Sequence, residues 1–185
     1  MTVETRDPGR RVLIAAGAFA ELFLAASDFD AGMRQVQDDR ARGPRPSDRA
    51  FPRFRGVRAG FNIWVGPTDR PAWRVVDVRW AFPTEPDAAA YLRAGLAANA
   101  EGAPPVPDAP LVGAECHVFG GPAFGGPLAA QGLRVLAYLY VFRAGRVVAK
   151  LFVAQGPAVA GQVLTADHAA ALVRRALARI EGRAG

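Results

Sequence analysis

The residues with the most chemical potential stand in a row: Glu115, Cys116 and His117. On an extended chain, residues two positions apart share a face, so Glu115 and His117 could act as an orienting acid–base pair. Cys116 points the other way on a regular strand. A thiolate–imidazole nucleophile needs the two side chains together, so this order favours an inert thiol among apolar neighbours. His168 would complete a set of two histidines and one carboxylate, a catalytic-zinc pattern, only if the fold carried it to His117. Its place near a helix start predicts ordinary exposure instead. No serine sits in a GxSxG setting. The glycine-rich GGPAFGGPLAAQG lacks both the helix-preceding GxGxxG and the Lys-Ser/Thr ending of a phosphate loop. The expectation is therefore no catalytic residue, no cofactor and no metal.

A second kind of chemistry is binding. Trp64 and Trp73 flank a turn, and with Tyr91, Tyr138, Tyr140 and Phe152 they could wall an apolar cavity between a sheet and a helix. Arg74, Arg79 or Arg143 could anchor an acid there. The candidate ligand-binding residues are thus Trp64, Trp73, Arg79, Tyr91, His117, Tyr138 and Tyr140. The competing reading is plain core packing, clearest for Trp80, which alternates with Val76 and Val78.

The elements that must position these groups centre on residues 133–180. GLRVLAYLYVF and VVAKLFVAQG flank a Gly-containing turn and read as a hairpin. With Ala144-Gly145 as the loop, Phe142, Tyr140, Tyr138 and Leu136 oppose Val147, Ala149, Leu151 and Val153 on one apolar face. The other face, with Val141, Leu139, Val148 and Lys150, is mixed and expected to be only partly covered. Thr165 can cap a closing helix with Asp167 in its first turn, and Ala169, Leu172, Val173, Ala176, Leu177 and Ile180 form its apolar stripe.

Earlier in the chain, a helix or broken helix is expected from about Val12 to Ala26, then a short turn around FDAGM. A polar loop follows over residues 35–51. Strands are expected from about Gly60 to Val65 and over AWRVVDVRWAF, where Val76, Val78, Trp80 and Phe82 face a core and Asp77 and Arg79 face outward. TEPD starts a helix running to about Asn99, with Thr84 as cap and Pro86 tolerated in the first turn. A proline-rich connection and a strand over residues 113–119 precede the hairpin.

Composition sets the bounds. The chain has 185 residues, 51% of them hydrophobic and 22% charged, which suits one folded domain. Residues 1–10 read as a flexible lead and residues 11–183 as a single α+β domain. The net charge is +6, but Lys150 is the only lysine and the arginines are dispersed. A nucleic-acid partner is therefore not expected. Cys116 is the only cysteine, so neither an intrachain disulfide nor a cysteine-based zinc site is available. Arg10-Arg11 followed by VLIAAGAFAELFLAAS looks superficially like a signal sequence. Glu21 interrupts it, and the run is too short to span a bilayer. A cytoplasmic location is favoured, with an extracytoplasmic one as the alternative.

Three stretches, Ala25 to Met33 (AASDFDAGM), Ala81-Phe82 through Leu92, and Val141 to Val148 (VFRAGRVV), give an organisation that resembles actinobacterial sensor-like and lipoprotein domains. These are the domains related to the PknH-type extracellular kinase sensor and to LpqN-like proteins. The resemblance implies an antiparallel sheet covered by helices in a PsbP/Mog1-like layer architecture. It also implies a binding or sensory domain with no catalytic constellation, often extracytoplasmic. This chain departs from the family in having no lipobox and no paired cysteines. The expected function is a non-enzymatic ligand- or protein-binding domain, its partner a small hydrophobic or acidic ligand, a protein or a second copy of the chain. The alternative is a small enzyme or carrier for a hydrophobic acid, using Glu115 and His117 or an arginine anchor.

Overall fold

The computed structural model describes residues 14–40, 56–124, 135–160 and 163–182. The expected flexible lead, most of the polar loop and much of the glycine-rich stretch lie outside the described residues. Six strands form one antiparallel sheet: β1 (Arg34–Asp39), β2 (Arg58–Val65), β3 (Arg74–Ala81), β4 (Glu115–Phe124), β5 (Val135–Ala144) and β6 (Val147–Ala154). Their order across the sheet is β1-β2-β3-β6-β5-β4. The pairing of β3 with β6 joins the two halves of the chain. Helix α2 (Glu85–Gly102) covers one face and α3 (Ala166–Glu181) the other, both against β5 and β6. This is the α+β class expected from the sequence.

The β5–β6 hairpin keeps its expected faces but slips its register by two residues. Ala144 pairs with Val147, so the loop is Gly145-Arg146, with Gly145 at φ 53°. That left-handed conformation suits glycine and not alanine. A slip of two preserves side-chain parity. Tyr138, Tyr140 and Phe142 therefore still share a face with Val147, Ala149, Leu151 and Val153, all buried in the core under α3. The second hairpin face is covered more fully than expected. Val141, Val148 and Phe152 are buried with Tyr91 and Leu92 of α2, which leaves less apolar surface there for a second copy of the chain.

Helix α3 follows its sequence signals closely. The Thr165 hydroxyl accepts from the His168 amide at 3.2 Å, and Ala169, Leu172, Val173, Ala176 and Ile180 are buried. Helix α2 starts as expected at the Thr84 cap, which accepts from the Asp87 amide at 3.2 Å, and continues to Gly102.

Two expectations fail for physical reasons. The polar loop begins with a strand: β1 pairs antiparallel with β2 at the sheet edge, bulged between Gln35 and Gln37. Its residues are almost all exposed, so backbone pairing holds it without any apolar alternation to announce it. The N-terminal helix, α1 (Ala16–Glu21), is also shorter than expected. The chain leaves helical form at Leu22 because the consecutive Leu22, Phe23 and Leu24, all buried, cannot share one helical stripe. A 3-10 turn over Ala26–Asp28 follows. No described helix is long and apolar enough to cross a membrane.

Candidate functional site

Asp77 and Arg79 overturn the outward-facing assignment. Both are 0% exposed on the α3 side of β3. The Arg79 guanidinium grips Asp77 with two bonds, Nε to Oδ1 at 2.8 Å and Nη2 to Oδ2 at 3.0 Å. Its Nη1 donates to the Leu22 carbonyl and, at 3.3 Å, to the Ala176 carbonyl of α3. Asp77 Oδ2 also accepts the Leu24 amide at 3.0 Å, and Asn62 Nδ2 donates to the Leu24 carbonyl at 3.1 Å. The non-helical stretch 22–24 thus finds its backbone partners on β2 and β3. The alternation of β3 is real, but both sheet faces are covered and the polar face satisfies itself. Arg79 is spent on this network and does not reach a cavity as a ligand anchor.

The remaining expected site residues fall on opposite sides of the sheet. Trp64, Tyr138 and Tyr140 lie in the core under α3, whereas Trp73, Tyr91 and His117 belong to the α2 side. They do not converge on one cavity. Tyr91 packs against Trp80 and Phe82, with ring centroids 5.4 and 5.0 Å away. The Tyr140 hydroxyl donates to the Ala166 carbonyl at 3.0 Å, and burial pushes its pKa up. Trp64 stacks on Phe29 at 4.8 Å between centroids, and its indole N–H has no hydrogen-bond partner among the described residues.

The Glu115–Cys116–His117 row has the expected strand geometry. Glu115 and His117 share the α2 side, but the Glu115 carboxylate accepts from Arg143 Nε at 2.9 Å. Cys116 faces the other way, and burial raises its thiol pKa. His168 starts α3 on the opposite side of the sheet from His117, so the two imidazoles do not form a joint ligand set. Among the described residues no cluster of three or more His, Cys, Asp or Glu side chains could hold a metal ion.

An open cleft lies elsewhere. A cleft of 330 Å³ opens between the first turns of α3, the segment after the 3-10 turn, and the β2–β3 connection. Phe29, Asp30, Ala31 and Met33 form one wall, and Pro67, Arg70, Pro71 and Ala72 a second. His168, Ala171, Leu172 and Arg175 form the third. The α3 spacing of three and four residues puts all four of these side chains on one helical face. Most of the lining is apolar, while Arg70, Arg175, His168 and Asp30 bring polar or charged groups.

Each wall is fixed. The β2–β3 connection is laced to the chain after β6: the Trp73 amide donates to Ala154 at 2.9 Å, Gly156 to Arg70 at 3.1 Å and Ala158 to Thr68 at 3.2 Å. A Cβ on Gly156 would overlap the Thr68 carbonyl oxygen, so only glycine permits this approach. The opposite wall is clamped to α3 by Arg175, which donates to the Asp28 carbonyl, and by Arg179, which pairs with the Asp28 carboxylate and bonds the Ser27 hydroxyl at 3.2 Å. Sequence reasoning placed FDAGM and DRP in turns and His168 on a helix. No periodic signal reveals that three segments so distant along the chain meet.

No family model and no curated protein matches the chain. Among solved structures, the extracellular domain of PknH from Mycobacterium tuberculosis aligns with a TM-score of 0.55 at 14% identity. The alignment covers 93% of this chain and 99% of that one. At this identity the likeness establishes the fold. The chain has an α+β architecture similar to that of the PknH extracellular domain, in keeping with part of the resemblance drawn from the sequence.

Proposed function

We propose that the chain is a non-enzymatic, sensor-like binding domain that takes a ligand into the cleft beside α3. One observation carries this reading: an open cleft gathers mostly apolar side chains with Arg70, Arg175, His168 and Asp30 around it. Elsewhere the chemistry-bearing residues serve structure. Asp77 and Arg79 tie down the chain at 22–24, Glu115 pairs with Arg143, and Tyr140 bonds α3. A small volume with apolar walls and a few polar groups is the usual form of a ligand site.

The reading includes an extracytoplasmic setting, supported by the fold of an extracellular domain. The cytoplasmic expectation gains nothing comparable. Treating residues 11–183 as one domain is supported by a single sheet that draws strands from both halves of the chain. The wider relation to LpqN-like proteins and PsbP/Mog1-like layers belongs to the same proposal and rests on the sheet-and-helix layering.

A thermal-shift screen of a chemically diverse small-molecule library tests the binding role. Compounds should raise the Tm of the wild-type chain and lose that effect with Ala171→Trp, which places an indole in the cleft from an exposed helical position. If every stabilising compound works equally well on both proteins, the cleft is not the site.

A further inference from the structure

We infer that the cleft selects an amphiphile with an anionic head, a carboxylate or similar oxyanion, held by Arg70 and Arg175 against an apolar lining. This rests on the cleft being the binding site and adds the class of its occupant.

The two arginines stand on different walls, Arg70 on the β2–β3 connection and Arg175 on α3. Their side chains cannot satisfy one another, since both are cations. Among the described residues the Arg70 side chain has no hydrogen bond or ion pair. Arg175 uses one nitrogen on the Asp28 carbonyl, which orients the guanidinium while leaving further N–H groups to donate. Asp30 is the one carboxylate among the described lining residues, so the formal balance among them favours an anion. The Asp28 carboxylate, beside the carbonyl that Arg175 bonds, is already paired with Arg179.

The apolar lining defines the other half of the ligand. Met33, Leu172, Phe29 and the two prolines offer apolar surface with few hydrogen-bonding groups, and methionine adapts to irregular shapes. A strongly hydrated ion such as inorganic phosphate would leave that surface uncovered. A flat or short-chain apolar body bearing one acid group satisfies both parts.

Isothermal titration calorimetry with 2-naphthoate and its neutral isostere 2-naphthamide, on the full chain, separates the charge from the shape. The carboxylate should bind about tenfold more tightly than the carboxamide, the size of effect a charge-assisted pair of bonds gives. Arg70→Gln, which leaves the Arg175 bond to the Asp28 carbonyl in place, should lower the carboxylate-to-carboxamide affinity ratio by about threefold or more. Ala171→Trp should abolish both, with circular dichroism confirming that each variant is folded. Equal affinities in the wild-type chain would overturn the anion assignment while leaving the cleft as a site. Equal binding of either compound by Ala171→Trp, or no binding of either by the wild type, would overturn the cleft reading itself.

Discussion

Two arginine-centred regions of this molecule, both touching α3, behave in opposite ways. Arg79 is sealed inside, and its donors meet Asp77, Leu22 and Ala176. Arg70 and Arg175 stand at an open cleft with donor capacity unused. A buried guanidinium with full hydrogen bonding costs much to disturb and is closed to ligands. Arg70, whose side chain holds no bond among the described residues, costs little to remove and remains open to them. The difference teaches that an arginine's value as a binding candidate depends on what already holds it, and this is decided by chain topology.

The comparison can be broken first at Arg79. Arg79→Met leaves Asp77 buried without its cation and takes the donor away from the Leu22 carbonyl. Urea unfolding should show a loss of about 3–5 kcal/mol. A loss near zero would mean that the interior pair is not the anchor of the N-terminal segment. Gly156→Ala should come next, at about 1–3 kcal/mol, because the added methyl drives the β2–β3 connection away from the chain after β6. The same variant should weaken naphthoate binding by displacing the Arg70 wall. Tyr140→Phe removes the hydroxyl bond to the Ala166 carbonyl at the start of α3 and should cost about 1 kcal/mol.

Arg70→Gln should change stability by no more than about 0.5 kcal/mol, as befits a surface group without a partner, while lowering naphthoate affinity. If it destabilised the fold as Arg79→Met does, the contrast between the two regions would vanish.

Cys116 sharpens the picture through pH. Its thiol is raised above the ordinary value of 9.0 by burial, so the folded chain keeps the proton longer than the unfolded chain does. Stability should therefore fall as pH climbs through and above 9.0 and stay level below it. Iodoacetamide should label the native protein at pH 8 more slowly than the urea-unfolded protein. Equal rates would place the thiol in solvent.

Much of the fold was legible because it rests on local signals. Thr84 and Thr165 caps, the α3 stripe and the alternation in β3 and β5 all report on near neighbours in sequence. The hairpin register was missed by two residues because Ala144-Gly145 and Gly145-Arg146 loops give the same apolar face, and only the preferred backbone angle of Gly145 separates them. Strand β1 was invisible because an exposed edge strand such as RQVQDD needs no apolar period. The site was less legible still. Trp64, Tyr138 and Tyr140 combine bulk with a polar tip, which suits a pocket and a core equally well. The sheet then placed them on the face away from Trp73, Tyr91 and His117. The cleft residues Arg70 and Arg175 carried no mark in the sequence and His168 was weighed only beside His117, because their association depends on β3 pairing with β6 and on α3 folding back across the sheet.

The most direct test of where this molecule meets its ligand is an amide chemical-shift map. The 15N-labelled wild-type chain is titrated with 2-naphthoate and the shifted amides are assigned. The account expects the largest movements at Ala31, Met33, Ala72, Ala171 and Leu172, around one cleft. Shifts centred instead on Trp73, Tyr91 and His117, with the α3 amides still, would contradict it.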